Sequence, residues 1–522
     1  MEQQRKRQQH QPLRQSKIIA FCILLISFDQ LAITVADSIV EENHNYNDVI
    51  YGNSTVSDYY TTDERYSVLR LRTDDLNQLW SVKKLIQASV DLKVNFWKVA
   101  RNVNDTSDVM VPESNLKTVM HLLHMGNVNV TVTIPDVERL IVKREKKGKR
   151  AFEQQRYRDE TSRSTDDSAK YDFYSYGSYK NMIDWLRSLA SKYRNFVRYI
   201  SIGKSHERRT IDGLEIGGNN QSKRVFWIDG GIHAREWAAP HTALYFIHQL
   251  TSKYGQDMQI TKYVDELTWV IVPCLNPDGY EYTRSSTNPN IRLWRKNRSP
   301  LICGKDSRGR NRCCRGVDLN RNFDFHFKES GSSDDPCAEI YQGKSAFSEP
   351  ETRAVRDAVM SSRYRGRIDA FVTLHTYSQI WIHPYGHRKD TYPGDIKDLY
   401  EIGKKATNAL GKLYGTKYIV GSGADTLYWD GFILDERQLI PTATETWAGI
   451  RVVADAVIER AHRKILRTNG TIKNKYRFGN GSTGSCYDLR HACKRWVQEK
   501  ESICQTVPIF MREQCAYSCG HC

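Results

Sequence analysis

The chain has 522 residues, enough for two or three domains, and its 39% hydrophobic content is ordinary for a soluble globular protein. Its formal net charge is +16, of which residues 1–17 carry +4 and residues 143–150 carry +5, so the other 497 residues carry only +7. No basic patch interleaved with aromatic residues marks a nucleic-acid groove, and we therefore expect no nucleic-acid partner.

The N-terminal region carries an eleven-residue, mainly apolar run, Ile18–Phe28, directly after a stretch rich in Lys and Arg. This pattern predicts a secretory signal peptide over residues 1–36, hence a secreted, extracellular protein. The alternative is a membrane anchor, but the run is too short to cross a bilayer as a helix and ends at Asp29, so we expect no stable membrane span.

Residues 60–142 follow the order strand, helix, two strands, helix, strand. The first helix is predicted over 74–89 with Thr73 as its cap, and the second runs from Glu113 to His124 and stops before Gly126. This order predicts a small ferredoxin-like α/β sandwich, with both helices on one face of an antiparallel sheet.

A polar segment, residues 143–170, follows this unit and begins with "KREKKGKR". A solvated linker is one interpretation. The other adds that exposed dibasic sites are where processing proteases cut, and the two interpretations are compatible.

Residues 171–468 alternate apolar, β-rich runs with amphipathic helices. This alternation predicts a mixed, mostly parallel sheet sandwiched by helices. Functional side chains are then expected on loops at the carboxyl ends of the strands.

Two such strand ends carry metal-binding residue types. "GIHAREW" places His233 and Glu236 three residues apart, and "DAFVTLH" ends at His375. Two imidazoles and one carboxylate are a common ligand set of catalytic zinc, which keeps its fourth position for water. Arg295, and the pair Asn320–Arg321, offer groups that bind oxyanions and carboxylates.

The motifs "GIHAREW", "WRK", "VDLNRNF", "SEPET", "LHTYSQ", "SGADTLY" and "IPTATETWAGI" occur in this order. Together they resemble the zinc metallocarboxypeptidases of the pancreatic carboxypeptidase A/B type, whose substrates are peptide and protein C-termini. The resemblance implies an inhibitory propeptide over residues 60–142 and one Zn²⁺. It assigns site residues as follows: zinc ligands His233, Glu236 and His375; the oxyanion group Arg295; and the substrate-binding residues Asn320, Arg321, Tyr377 and Tyr428. It also implies a disulfide between Cys314 and Cys337.

One part of the family pattern is missing. Roughly 25 to 30 residues, a length suited to a loop and one strand, separate "SGADTLY" from the next motif in relatives. Here Tyr428 passes directly to Trp429, so the strand that carries the general-base glutamate is absent. We interpret four nearby carboxylates as solvated loop charges: Asp425, Asp430, Asp435 and Glu436.

Two hypotheses explain this gap. The chain is either an incomplete version of an active enzyme or a pseudo-enzyme that binds zinc and peptide C-termini without turnover. The corresponding alternative function is an extracellular binding or matrix-organising protein on the same scaffold.

A linker over residues 469–485 leads to a module, residues 486–522, that holds six of the twelve cysteines and implies disulfides formed in an oxidising compartment. Spacing alone leaves fifteen possible pairings. The terminal "CxxxCxxC" resembles the ShK-toxin-like (ShKT) domain, which implies an extracellular matrix or surface partner and the bonds Cys486–Cys522, Cys493–Cys515 and Cys504–Cys519. Upstream, Cys303 and Cys313 are expected to pair locally, and Cys274 to stay a free buried thiol.

Overall fold

The computed structural model describes residues 19–25, 64–100, 102–143, 171–305, 309–376, 379–426 and 438–468, together with 497–498, 503–506 and 518–519 of the C-terminal module. Most of the predicted signal peptide, nearly all of the basic linker and the second linker lie outside these residues.

The first folded unit is a four-stranded antiparallel sheet with two helices on one face. Its strands are Tyr66–Thr73, Asn95–Lys98, Asp105–Pro112 and Asn129–Ile134, and its helices are Leu76–Gln87 and Glu113–Met125. The two helices pack through Val82 and Val119 onto Leu69 and Val109 of the sheet. The predicted ferredoxin-like order is confirmed. The cap of the first helix, however, is Asp75 and not Thr73: the Asp75 side chain accepts a hydrogen bond from the backbone N–H of Gln78 at 2.9 Å.

The opposite face of this small sheet packs against the second unit. Val68, Trp97 and Met110 form one buried cluster with Leu293. The helical segment 137–143 closes the same cluster, and Thr287 donates to Glu138 at 2.9 Å. The first unit therefore lies against the loop that leads to Arg295.

The second unit is built on an eight-stranded mixed sheet. Four neighbouring pairs in it are parallel and three are antiparallel. From one edge to the other the strands are Ile419–Ser422, Ile380–His383, Ile19–Leu25, Ile368–Thr376, Arg224–Gly230, Leu267–Val272, Thr210–Ile216 and Val197–Lys204.

Helices cover both faces of the large sheet, because alternate strand residues point to opposite sides. Phe226 packs with the helix Ala238–Ser252, whereas its neighbour Trp227 packs with the helix Pro350–Met360 on the other face. The predicted mixed α/β architecture is confirmed. The other helices of this unit are Tyr179–Lys192, Met258–Glu266, Pro277–Arg284, Pro289–Arg292, Leu319–Arg321 (a 3₁₀ turn), Ile396–Tyr414, Gly423–Thr426 and Leu439–Thr468.

The strand Ile19–Leu25, here called the N-terminal strand, was not expected. It runs parallel to Ile368–Thr376, with Leu24 opposite His375, and antiparallel to Ile380–His383. The sequence pattern predicts this apolar run as part of a signal peptide. A peptide removed by cleavage cannot also pair inside the sheet, so the signal peptide stays a prediction for N-terminal sequencing to test.

The described part of the C-terminal module contains a short helix, Ile503–Thr506, and a disulfide that joins Cys504 to Cys519. The other two predicted bonds of this module involve cysteines outside the described residues. Among the described residues, no helix combines the length and the apolar character needed to cross a membrane.

Candidate metal centre

His233 and Glu236 lie in the turn between the strand Arg224–Gly230 and the helix Ala238–Ser252. Gly231 begins this turn with φ 62°, a left-handed conformation that favours glycine. A Cβ atom added at Gly231 would lie 2.8 Å from the Pro240 side chain. The turn thus brings the imidazole and the carboxylate together at the end of a strand, with 2.7 Å between His233 Nδ1 and Glu236 Oε1.

His375 reaches the same point from the next strand of the sheet, Ile368–Thr376. Its Nδ1 atom lies 3.1 Å from Nδ1 of His233 and 3.0 Å from Oε2 of Glu236. Zinc bonds of about 2.0–2.1 Å at tetrahedral angles place ligand atoms about 3.3 Å apart. The three side chains therefore converge at nearly the spacing that a tetrahedral zinc requires.

The electrostatics favour the ligand forms of these side chains. All three are buried, with 2–4% of each residue exposed. Burial and the nearby Arg295 lower the pKa of His233. Burial alone would raise the pKa of Glu236, but the facing imidazoles of His233 and His375 lower it below its usual range. A neutral imidazole and an ionised carboxylate are the forms that bind a metal.

Asp318 is a site residue that the sequence analysis missed. Its Oδ1 atom lies 3.2 Å from Nε2 of His233, and its Oδ2 accepts from Nε of Arg295 at 3.0 Å. A carboxylate bonded to the second ring nitrogen orients a metal-binding histidine. "VDLNRNF" contains this residue, but no spacing rule links one loop aspartate to a histidine 85 positions away.

The two predicted arginines have different surroundings. Arg295 is buried, and besides Asp318 its Nη1 lies 4.0 Å from Oε1 of Glu236, so the structure places it beside the cluster. Arg321 ends the 3₁₀ turn that Asp318 caps, and its guanidinium donates to the carbonyl oxygens of Gly331 at 2.7 Å and Asn320 at 2.9 Å. Asn320 itself is exposed.

Two of the predicted substrate-binding residues, Tyr377 and Tyr428, lie outside the described residues. So do the side chains of the four carboxylates near the gap, Asp425, Asp430, Asp435 and Glu436.

Two disulfides lie in the loops around Asp318. Cys314 is bonded to Cys337, and Cys303 to Cys313, which faces it across a two-stranded hairpin, Ile302–Lys305 and Asn311–Cys314. Cys274 is a free, buried thiol, and burial raises its pKa. The Cys314–Cys337 bridge thus closes a loop that contains Asp318, and the Cys303–Cys313 bridge holds the hairpin before it.

Comparison with known families gives three matches along the chain. The zinc carboxypeptidase family profile matches residues 182–431, the carboxypeptidase activation peptide profile matches residues 69–144, and the ShK domain-like profile matches residues 485–522.

Relatives match over most of their length. Carboxypeptidase B of Astacus astacus is 37% identical over 314 residues, which cover 55% of this chain and 98% of the relative. Carboxypeptidase A1 of Rattus norvegicus is 31% identical over 424 residues, which cover 76% of this chain and 95% of the relative.

Solved structures agree with these matches. Carboxypeptidase A from Helicoverpa armigera is similar with a TM-score of 0.64 and 25% identity over 77% of this chain and all of that one. Thrombin-activatable fibrinolysis inhibitor is similar with a TM-score of 0.63 and 27% identity over 76% of this chain and 99% of that one. The chain therefore belongs to the zinc carboxypeptidase family, as a metallocarboxypeptidase zymogen with an activation peptide and a C-terminal ShK-type domain.

Proposed function

We propose that the protein is secreted and acts on the C-terminal residue of peptides or proteins through a zinc ion bound by His233, Glu236 and His375. The observation that carries this proposal is the meeting of three buried side chains whose nitrogen and oxygen atoms lie 2.7–3.1 Å apart. A zinc ion in such a site polarises a carbonyl oxygen and lowers the pKa of its bound water.

The protein's own residues bind and orient the substrate. Arg295 is held by Asp318 beside the zinc ligands, where its guanidinium stabilises negative charge that develops on the scissile carbonyl oxygen. Arg321 and Asn320, together with Tyr377 and Tyr428, hold the terminal carboxylate, since a guanidinium binds a carboxylate through two parallel hydrogen bonds.

We further propose that this chain lacks the strand that carries the general base in its relatives. The family match ends at residue 431, three residues after Tyr428. In the uncleaved chain the N-terminal strand fills a position beside the His375 strand, Ile368–Thr376, and removal of the predicted signal peptide would leave that position open. Without a positioned base we expect turnover to fall by a factor on the order of 10² to 10⁴ relative to an intact relative.

A binding protein without turnover is the second candidate. Within the described residues, the carboxylates bonded to the two histidines are Glu236 and Asp318, and both already have other roles. Neither is available to take a proton from water. The ShK-type domain would then serve as the contact to a matrix or surface partner.

The two candidates differ in turnover. Purified protein, cut within the basic linker, is incubated with a peptide that has a free C-terminus and with the same peptide amidated. Release of the terminal residue from the free peptide alone, abolished by a chelator, supports the carboxypeptidase. Bound zinc and peptide affinity without release support the binding protein.

A second experiment addresses the gap. Inserting the corresponding segment of a relative between Tyr428 and Trp429 should raise turnover by about 10²- to 10⁴-fold. Long-read sequencing of the transcript across the same codons shows whether a longer form exists. A transcript that uniformly lacks the segment, with no gain from the insertion, contradicts the incomplete-enzyme hypothesis.

The zinc ligands have a test of their own. His375→Ala should remove stoichiometric zinc, whereas His121→Ala, at an exposed position in the propeptide, should retain it. Equal metal content in the two variants contradicts the proposed zinc site.

A further inference from the structure

A second group of metal-binding side chains lies on the surface of the catalytic unit. His326 and Glu329 repeat the three-residue spacing of His233 and Glu236, and His387 joins them from the loop after the strand Ile380–His383. One donor atom from each of the three lies within 4.8 Å of the others. Nδ1 of His326 is 2.6 Å from Oε2 of Glu329.

The two imidazoles are direct neighbours. Their rings lie face to face, with centroids 3.6 Å apart and planes inclined by 6°. Phe325 and Tyr385 stack at 5.0 Å beside them and restrict the movement of His387. Nδ1 of His387 is buried, and no residue in the described part of the chain offers it a hydrogen-bond partner. A buried polar atom in this condition is expected to have a partner, such as a water molecule or an ion.

We propose that His326, Glu329 and His387 form a second binding site for a divalent transition metal of the zinc type. Two imidazoles and one carboxylate suit zinc better than magnesium or calcium, which prefer sites made of oxygen alone. The donor atoms must approach from 4.8 Å to about 3.3 Å for tetrahedral zinc. Because a metal binds imidazole in the ring plane, the His326 ring must also turn out of its stack with His387. The 34% exposure of the His326 side chain and the 56% exposure of the Glu329 side chain leave room for this movement.

The site would join two loops next to the substrate-binding residues. Ser330 donates to the carbonyl oxygen of His387, and Gly331 accepts from Nε of Arg321. A metal at the second site therefore restrains the segment that holds the Arg321 guanidinium. This consequence for substrate binding rests on the proposed function, whereas the metal site itself does not.

The test measures zinc binding to the full-length protein. The metal is first removed with a chelator, and ZnCl₂ is then titrated by calorimetry into the wild-type protein and its variants. We expect two classes of site in the wild type. His326→Ala, His387→Ala and Glu329→Gln should each weaken only the weaker class, by at least about 10-fold, because loss of a direct ligand costs no less than loss of an outer partner.

Two controls separate this site from the first. His375→Ala should remove the tight class and leave the weaker one, while His121→Ala should leave both. Hydrogen exchange gives a structural readout: zinc should slow exchange over residues 325–331 in the wild type but not in His387→Ala. A single class of site, or unchanged weak binding in both His326→Ala and His387→Ala, overturns the proposal even if the first site is confirmed.

Discussion

Replacing Asp318 with asparagine tests how the zinc ligands are supported. Asp318 is fully buried between His233 and Arg295, of which 3% and 2% are exposed. Asparagine keeps the shape but removes the negative charge, so the buried guanidinium of Arg295 loses the nearer of its two carboxylate partners, Asp318 at 3.0 Å and Glu236 at 4.0 Å. Breaking a buried pair in this way costs about 3–5 kcal/mol of folding free energy. Losing the outer partner of a metal-binding histidine weakens zinc about 10- to 100-fold, or about 1.4–2.8 kcal/mol.

The two effects are measured separately. Urea unfolding of the metal-free protein measures the loss of folding free energy. Competition with a chelator of known zinc affinity measures the loss of zinc affinity. Asp357→Asn is the matched control, since Asp357 is exposed and pairs only with its neighbour Arg356 among the contacts described. Zinc affinity in Asp318→Asn within about 3-fold of wild type, in a folded protein, would refute the role assigned to Asp318.

Three further predictions concern stability and activation. Glu215 is buried, and although burial alone would raise its pKa, pairing with Arg363 holds the pKa at about 2 against its ordinary 4.5. The ionised Glu215 should therefore stabilise the folded protein by on the order of 3 kcal/mol above pH 4.5, and this contribution should be lost as the pH falls through 2. Unfolding of the wild type and of Glu215→Gln at each pH measures it as the difference in unfolding free energy. Replacing Cys314 and Cys337 with alanine opens a loop of 23 residues and should cost about 3 kcal/mol in urea unfolding; an unchanged midpoint contradicts this. Leu293→Ala should weaken the packing of the propeptide on the second unit by about 2 kcal/mol. Trypsin should then cleave the basic linker faster, and an unchanged cleavage rate contradicts the contact.

Much of the fold follows from regular patterns in the sequence. The alternation in the first unit predicts its strands because one face of each must be buried. The meeting of His233 and His375 follows from two parallel strands that end at the same edge of the sheet. The sequence predicts the positions of side chains where a structural period or a shared sheet edge fixes them.

Other features have no period to reveal them. Asp318 is a single loop acid whose role depends on contacts far away in the chain. Thr73 and Asp75 are both good helix caps, so sequence alone does not choose between them. The run Ile19–Leu25 has the composition of a signal peptide and equally that of a buried strand, and only its pairing in the sheet distinguishes the two.

The N-terminal strand has a consequence for biosynthesis. Leu24 pairs with His375 about 350 residues later, a separation that makes sheet closure a late and slow event. Until residues 368–383 have left the ribosome, the N-terminal strand has neither of its neighbours, and both of its edges are open to other chains. We expect a nascent chain of this length to depend on chaperones.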